Sequence, residues 1–368
     1  MGDWLPPDAA ARARIACDLE TSLLVEAGAG SGKTTAMVGR MVALVRSGAG
    51  TVDQLAAVTF TRKAAGELRE RFQEALELAF RQSARAAPAE RERLEGALRD
   101  LDRAFVGTIH AFCGRLLRER PFEAGVAPGF REVAGADEER AFAEAWPRFL
   151  EHLDARRSRL PAALARVGLR PAQLRGLVRE VAGQPDVRFA APAAPRPDAA
   201  REAAVRAELE ALLDASLPLL PSERPAAGWD ALQSRLLALR FSRRIPGWND
   251  APGFYDALAA AVLRGTDVVL KRWGNAGASR AAAKALAGRW AAFAAAGSPA
   301  HGLMTEWLAH RYPPALRFAR AAAAFCARER RRSGELTFDD LLALTARLLR
   351  RSEGARRELG GRWRYLLV

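Results

Sequence analysis

Cysteine is scarce in this 368-residue chain, and its three copies, Cys17, Cys113 and Cys326, stand far apart with no Cys-x-x-Cys pair. That excludes a disulfide framework and argues against a zinc knuckle, and a reducing cytoplasm is the simplest compartment. Long apolar runs are missing too. No stretch of about 18 uncharged apolar residues occurs, so no membrane-spanning helix is expected. The N-terminus, Met-Gly-Asp-Trp-Leu-Pro-Pro-Asp, has no basic region followed by an apolar run and therefore no secretory signal. Histidine is rare as well, and neither His301 nor His310 has a carboxylate or cysteine at ligand spacing, which speaks against a metal site there.

What is present is a globular composition, 49% hydrophobic and 27% charged, which fits neither a disordered chain nor a membrane protein. The length implies two or three domains with a sizeable core. Against 43 acidic residues stand 57 basic ones, a net charge of +14, and only Lys33, Lys63, Lys271 and Lys284 of these are lysines. Part of the arginine excess, beside so much alanine, reflects a GC-rich genome. The remainder points to a polyanionic partner.

Residues 1–120 alternate short apolar runs with helical stretches, as strands and crossover helices of a parallel sheet do. Leu23-Leu24-Val25-Glu26 reads as a strand, followed by a Gly-rich turn and a helix to about Ser47; residues 55–60 read as a second strand. The next helix carries an apolar stripe, Ala64, Leu68, Phe72, Ala75 and Ala79, at spacings of three and four. Phe105-Val106-Gly107 reads as a third strand, with a helix from about His110 to Arg120.

Residues 121–334 change character: Ala, Arg, Leu and Glu recur with helical periodicity, interrupted by Pro- and Gly-rich breaks at 184–198, 217–228 and 243–253. This is a helical domain, and the tryptophans Trp229, Trp248, Trp273, Trp290 and Trp307 within it read first as packing residues. The arginine cluster at 328–332 reads as a solvated helix end. Thr337 is a candidate N-cap with Asp340 three residues on, opening a helix through Leu341, Leu344, Leu348 and Leu349. Arg364-Tyr365-Leu366-Leu367-Val368 reads as one more buried strand.

One segment carries chemistry on its own. Ala27-Gly28-Ala29-Gly30-Ser31-Gly32-Lys33-Thr34 lies between a predicted strand and a predicted helix, the context of a phosphate-binding loop. Glycines 28, 30 and 32 permit positive φ, which turns backbone N–H groups onto phosphates. The helix adds unpaired N–H donors and its positive dipole end. Lys33 can reach the β and γ phosphates of a nucleotide, and the Thr34 hydroxyl, followed by Thr35, is placed to ligate Mg²⁺; by itself this leaves kinases, GTPases, transporters and helicases all open. The first glycine of the usual pattern is Ala27 here.

Three further segments narrow the reading. Val25 through Thr35 resembles the first motif of superfamily 1 helicases of the UvrD/Rep type; Val58-Thr59-Phe60-Thr61-Arg62-Lys63-Ala64-Ala65 resembles their second conserved segment; and Gly107-Thr108-Ile109-His110-Ala111-Phe112-Cys113 is similar to their Gly-Thr-Ile/Phe-His-Ser-Phe segment. Leu336-Thr337-Phe338-Asp339-Asp340-Leu341-Leu342 is similar to the segment that precedes the Walker B strand in that family, and residues 364–368 to that strand. Glu26, Arg62 and Cys113 point to the RecB/AddA branch of helicase-nuclease motor subunits.

The resemblance implies a RecA-like P-loop sheet domain (1–120 and 335–368) with a mostly α-helical accessory domain inserted at 121–334. It implies ATP and Mg²⁺ as cofactors, single- and double-stranded DNA as partners, a helicase-nuclease partner subunit, and 3′ to 5′ translocation in repair or recombination. It also implies that Thr59, Phe60, Thr61, Arg62, Lys63, Thr108 and His110 face single-stranded DNA, with Lys33 the catalytic lysine. Hydroxyls and ammonium groups suit phosphates, and Phe60 or His110 suits a base face. By residue chemistry alone Phe60 fits a core position equally well, and His110 a helix-capping one.

Two departures stand out. The stretch Pro7-Asp8-Ala9-Ala10-Ala11-Arg12 lacks the glutamine that often reads adenine in this family. The Asp-Glu-x-x-Asp that would follow the Val368 strand is absent, as are the later motifs; Asp137-Glu138-Glu139 opens a helix and does not replace it. The chain is therefore expected to be an N-terminal piece that binds nucleotide weakly without efficient hydrolysis or unwinding. The competing reading is a non-catalytic nucleotide- and single-strand-binding module; an unrelated small-molecule kinase fits the threonine-rich segments poorly.

Overall fold

A computed structural model describes residues 8–28, 30–83, 87–185, 187–245, 247–263, 267–274 and 277–368. The chain divides into two compact units, residues 1–139 with 329–368 and residues 140–328.

Unit 1 is mixed α/β. Its elements begin with α1 (Ala9–Cys17), α2 (Lys33–Ser47), β1 (Leu55–Thr59), α3 (Arg62–Gln82), α4 (Pro88–Arg99), β2 (Phe105–Thr108), α5 (Ile109–Glu119), α6 (Pro121–Ala124), β3 (Arg131–Glu132) and α7 (Ala136–Ala155), which runs on into unit 2. Unit 2 continues with α8 (Leu160–Ala165), α9 (Arg175–Ala182), α10 (Ala199–Ser216), α11 (Ala231–Ser242), α12 (Ala251–Val262), α13 (Gly277–Ala294) and α14 (Pro299–Arg332). The chain returns through β4 (Glu335–Leu336), α15 (Phe338–Arg351), α16 (Glu353–Arg362) and β5 (Tyr365–Leu367).

The main sheet has the order β2-β1-β5, all parallel, with Thr59 opposite Thr108 and Leu55 opposite Tyr365. Parallel neighbours need crossover connections, and α3 with α4 supplies the one from β1 to β2. One face is covered by α2, α3 and α4 through Met41, Leu44, Phe72, Leu76 and Leu94, and the other by α5 and α15 through Leu117, Leu341 and Leu344. The predicted stripe on α3 is real but shifted by a residue at its start: Ala65, Leu68, Phe72 and Leu76 are the buried positions. Cores on both faces explain why β1 reads as an unbroken apolar run, Leu55-Ala56-Ala57-Val58.

Two strand expectations fail. Residues 22–28 form no strand, and Leu24 is 89% exposed. The apolar run is there, but a strand exists only in a ladder, and among the described residues no strand pairs with it. β5 does form, yet at the sheet edge with Leu366 58% exposed instead of buried: β1 takes one side of it and its other side stays open. A cavity of about 740 Å³ lies along that open side, lined by Leu23, Leu24, Val25, Lys33 and Leu366 among others.

Thr337 caps α15 as expected: its Oγ1 accepts from Asp340 N–H at 3.2 Å, and Asp340 Oδ2 accepts from Thr337 N–H at 3.2 Å. Arg330 departs from the solvated reading of its cluster. It is buried, and its Nε and Nη2 donate to Asp340 Oδ2 at 3.0 and 2.9 Å.

Unit 2 holds two apolar clusters. One, from α10 to α14, contains Trp248, Trp273, Trp290 and Trp307, while Trp229 is half-buried. Three of these four pair their indole N–H: Trp290 donates to Ser216 Oγ at 3.0 Å, Trp273 to Asp230 Oδ2 at 2.6 Å and Trp248 to Glu210 Oε1 at 3.0 Å. The other cluster, Trp146, Phe149, Leu164, Val178 and Phe318 among its members, joins α7, α8, α9 and α14. No described helix is long and apolar enough to cross a membrane.

Candidate nucleotide site and nucleic-acid groove

The phosphate loop runs from Ala27 into α2. Gly30 and Gly32 take φ of +74° and +88°, values only glycine adopts cheaply, and Gly32 is the N-cap of α2. Gly28 is not in that region, so its expected role in turning the loop falls to the other two. Ala27 is likewise not at positive φ, which is why alanine serves where the usual pattern has glycine. Ala29 lies outside the described residues.

No side chain caps α2, so the N–H groups of its first turn keep no intrahelical partner, the condition an anion site at a helix start requires. The carbonyls, by contrast, are engaged. Ser31 Oγ donates to Gly28 O at 2.8 Å, and Lys33 Nζ donates to Ala27 O and Gly28 O, each at 2.7 Å. Lys33 thus folds over the loop it would share with a phosphate. Thr34 and Thr35 are exposed beside it. A single hydroxyl, free backbone donors and one ammonium suit a nucleotide carrying Mg²⁺, an ion that keeps most of its waters and takes few protein ligands.

A second cluster assembles where β1 and β2 end. Because Thr59 and Thr108 are in register, the residues after them emerge side by side at the carboxyl ends of two parallel strands, each opening a helix. Thr61 Oγ1 accepts from Ala64 N–H at 3.1 Å and caps α3; Thr108 Oγ1 accepts from Ala111 N–H at 3.2 Å and caps α5. Each hydroxyl keeps its own proton to donate. The cap of α5 is therefore Thr108, not His110.

Phe60 is 82% exposed, which removes the core reading. Arg62 is exposed, and the Lys63 ammonium stands 3.9 Å from Glu67 with its side chain in solvent. A groove of about 500 Å³ runs between these segments, lined by Phe60, Arg62, Arg69, Gly107, His110 and Phe338 among others. Gly107 is required by close approach: a Cβ there would lie 2.8 Å from the Phe105 ring. The structure thus gathers Phe60, Arg62, Thr108 and His110 around one groove.

Sequence reasoning missed several neighbours. The Phe338 ring meets the His110 ring at 5.0 Å between centroids, tilted by 54°. Arg69 Nη2 donates to Val106 O at 3.0 Å. Arg12 on α1 donates from Nη2 to Ser31 O at 3.0 Å. None of these pairs is close in sequence, and only the periodicity of α3 put Arg69 on the flank of a sheet-packed helix.

A glycine-rich loop running into a helix, beside a parallel sheet whose strands β1 and β2 each open a threonine-capped helix, marks an α/β protein with a candidate phosphate site. Comparison gives the class: the chain belongs to the UvrD/REP helicase family, whose N-terminal domain matches residues 8–368. Among curated proteins it resembles the AddA chain of the ATP-dependent helicase/nuclease from Desulforamulus reducens, 41% identical over 114 residues that make up 30% of this chain and 9% of the relative. The AddA chains from Desulforudis audaxviator and Moorella thermoacetica are 42% and 38% identical, over 35% and 40% of this chain and 10% of each relative. This is the helicase-nuclease branch toward which Glu26, Arg62 and Cys113 point. Each match thus spans about a tenth of the relative's own length.

Proposed function

We propose that this chain is the ATP-binding and single-strand-binding part of an ATP-dependent DNA helicase acting in repair or recombination, built on a RecA-like sheet with unit 2 as a helical accessory domain. The observation that carries this reading is the pairing of a phosphate loop with the groove at the adjoining ends of β1 and β2. Lys33 releases Ala27 O and Gly28 O to neutralise the β and γ phosphates, while the N–H groups of Gly30 to Thr34 cradle them. Thr34 offers its hydroxyl to Mg²⁺, which when bound shields the phosphate charge. Thr59, Thr61, Thr108, Arg62 and Lys63 bind the strand's phosphates, and Phe60 and His110 offer ring faces to its bases.

The described strands β1 and β2 end in threonines, and the sequence's one Asp-Glu pair, Asp137-Glu138, sits in the first turn of α7. These 368 residues accordingly bind nucleotide without efficient turnover; hydrolysis, 3′ to 5′ translocation and pairing with a nuclease subunit belong to the activity of the whole protein. The test is binding of a fluorescent ATP analogue and of oligo-dT by the 368-residue protein and by Lys33→Ala. Nucleotide binding lost in Lys33→Ala with oligo-dT binding retained is the expected result. Robust DNA-stimulated ATPase activity abolished by Lys33→Ala would refute the claim of weak turnover, and binding of oligo-dT with no nucleotide binding would favour a purely nucleic-acid-binding module.

A further inference from the structure

The stretch before the phosphate loop lacks the expected glutamine, and the structure places a cation there instead. Arg12 Nη2 donates to Ser31 O at 3.0 Å, and Arg12 Nη1 lies 3.6 Å from the point where a Cβ on Gly32 would sit. The guanidinium therefore rests on the two residues immediately preceding Lys33. Its other partner is Asp8, with Nε at 2.9 Å and Nη2 at 2.7 Å from Oδ2, a half-exposed pair.

The placement is not left to a loose helix. Arg40, on α2, donates from Nη1 to Ile15 O at 2.8 Å and to Asp18 O at 2.7 Å, and from Nη2 to Thr21 O at 3.2 Å. These bonds tie the end of α1 and the turn after it to the helix that carries Lys33 and Thr34. Arg12 is thereby fixed relative to the anion donors at the start of α2.

We infer that Arg12 is a second polyphosphate-binding cation of the nucleotide site, exchanging Asp8 for a phosphate oxygen of the bound nucleoside triphosphate. A guanidinium has donors only, and its planar fork matches phosphate oxygens. Reading the adenine edge requires an acceptor for the exocyclic amine as well as a donor, which Arg12 lacks. Asp8 is then a competitor that holds the arginine in place while no phosphate is bound. This inference rests on the nucleotide-binding reading of the loop.

The test measures binding of ATP with Mg²⁺, of tripolyphosphate and of adenosine by calorimetry to the 368-residue protein and to Arg12→Ala, Arg12→Lys, Asp8→Asn and Lys33→Ala, with circular dichroism verifying the fold of each. Arg12→Ala is expected to weaken ATP and tripolyphosphate by about tenfold, the worth of one charge-assisted contact, and to leave adenosine unchanged. Arg12→Lys should recover part of the loss, and Asp8→Asn should bind ATP as tightly as the parent or more so. If Arg12 merely braced the loop, Asp8→Asn would weaken binding as Arg12→Ala does, and that result overturns the inference. Unchanged affinity in Arg12→Ala beside lost affinity in Lys33→Ala also overturns it while leaving the nucleotide reading intact. Failure of the parent protein to bind ATP or tripolyphosphate at all would instead overturn that reading.

Discussion

Thr61 and Thr108 each use one oxygen lone pair within the fold, and Phe60 buries little of its surface there. Their variants should therefore separate. Thr108→Ala removes a helix cap and should lower stability by about 1 kcal/mol in denaturant unfolding, with Thr108→Ser restoring it. Phe60→Ala should leave the unfolding midpoint unchanged and weaken oligo-dT binding by roughly 1–3 kcal/mol, as the loss of one stacked base does. Cysteine makes a third contrast. Burial pushes the Cys113 thiol above its usual value, so its thiolate is suppressed at pH 8, whereas Cys17 is exposed. Thiol labelling of the native protein at pH 8 should modify Cys17 rapidly and Cys113 only on unfolding.

At the scale of elements, α15 shows how far sequence reaches. The capping pair Thr337 and Asp340 was legible because it is local, three residues apart. The second role of Asp340, as acceptor for the buried Arg330, was not, because the partner sits at the end of a different helix within an arginine cluster that looks solvated. Asp340→Ala should thus cost more than Thr337→Ala, about 3 kcal/mol against about 1 in equilibrium unfolding, since it strands a buried guanidinium. Strands followed the same division. β1 and β2 were visible from their apolar runs and the phosphate loop from its glycines, but whether residues 22–28 join a ladder depends on a neighbour that no local pattern specifies. Arg12 and Phe338 were hidden for the same reason: their roles arise from contacts with segments distant in the chain.

Over the whole molecule, part of the net charge of +14 acquires a location, with Arg62 and Arg69 lining the groove and Lys63 exposed next to Arg62 in the chain. Oligo-dT affinity should fall linearly with the logarithm of salt concentration, with a slope of about −0.7 per phosphate neutralised, and Lys63→Ala should make that slope shallower by roughly one such increment. Binding that ignores salt would argue against a phosphate path there.

The short pair β3 and β4 has a consequence for how such a chain can be rearranged. Arg131 pairs with Glu335 and Glu132 with Leu336, Arg131 N–H donates to Gly334 O at 2.8 Å, Val133 N–H to Leu336 O at 2.9 Å, and Gly135 and Gly334 beside them take left-handed turns. The outgoing and returning passages of the chain are therefore sewn together inside unit 1 before residue 140 and after residue 328. A host domain closed in this way accepts cargo of almost any length, because lengthening a loop whose ends are already joined adds little entropy cost. Replacing residues 140–328 by a short Gly/Ser linker should yield a folded miniature that still binds nucleotide, and the same seam gives a gene a place to exchange one insert for another.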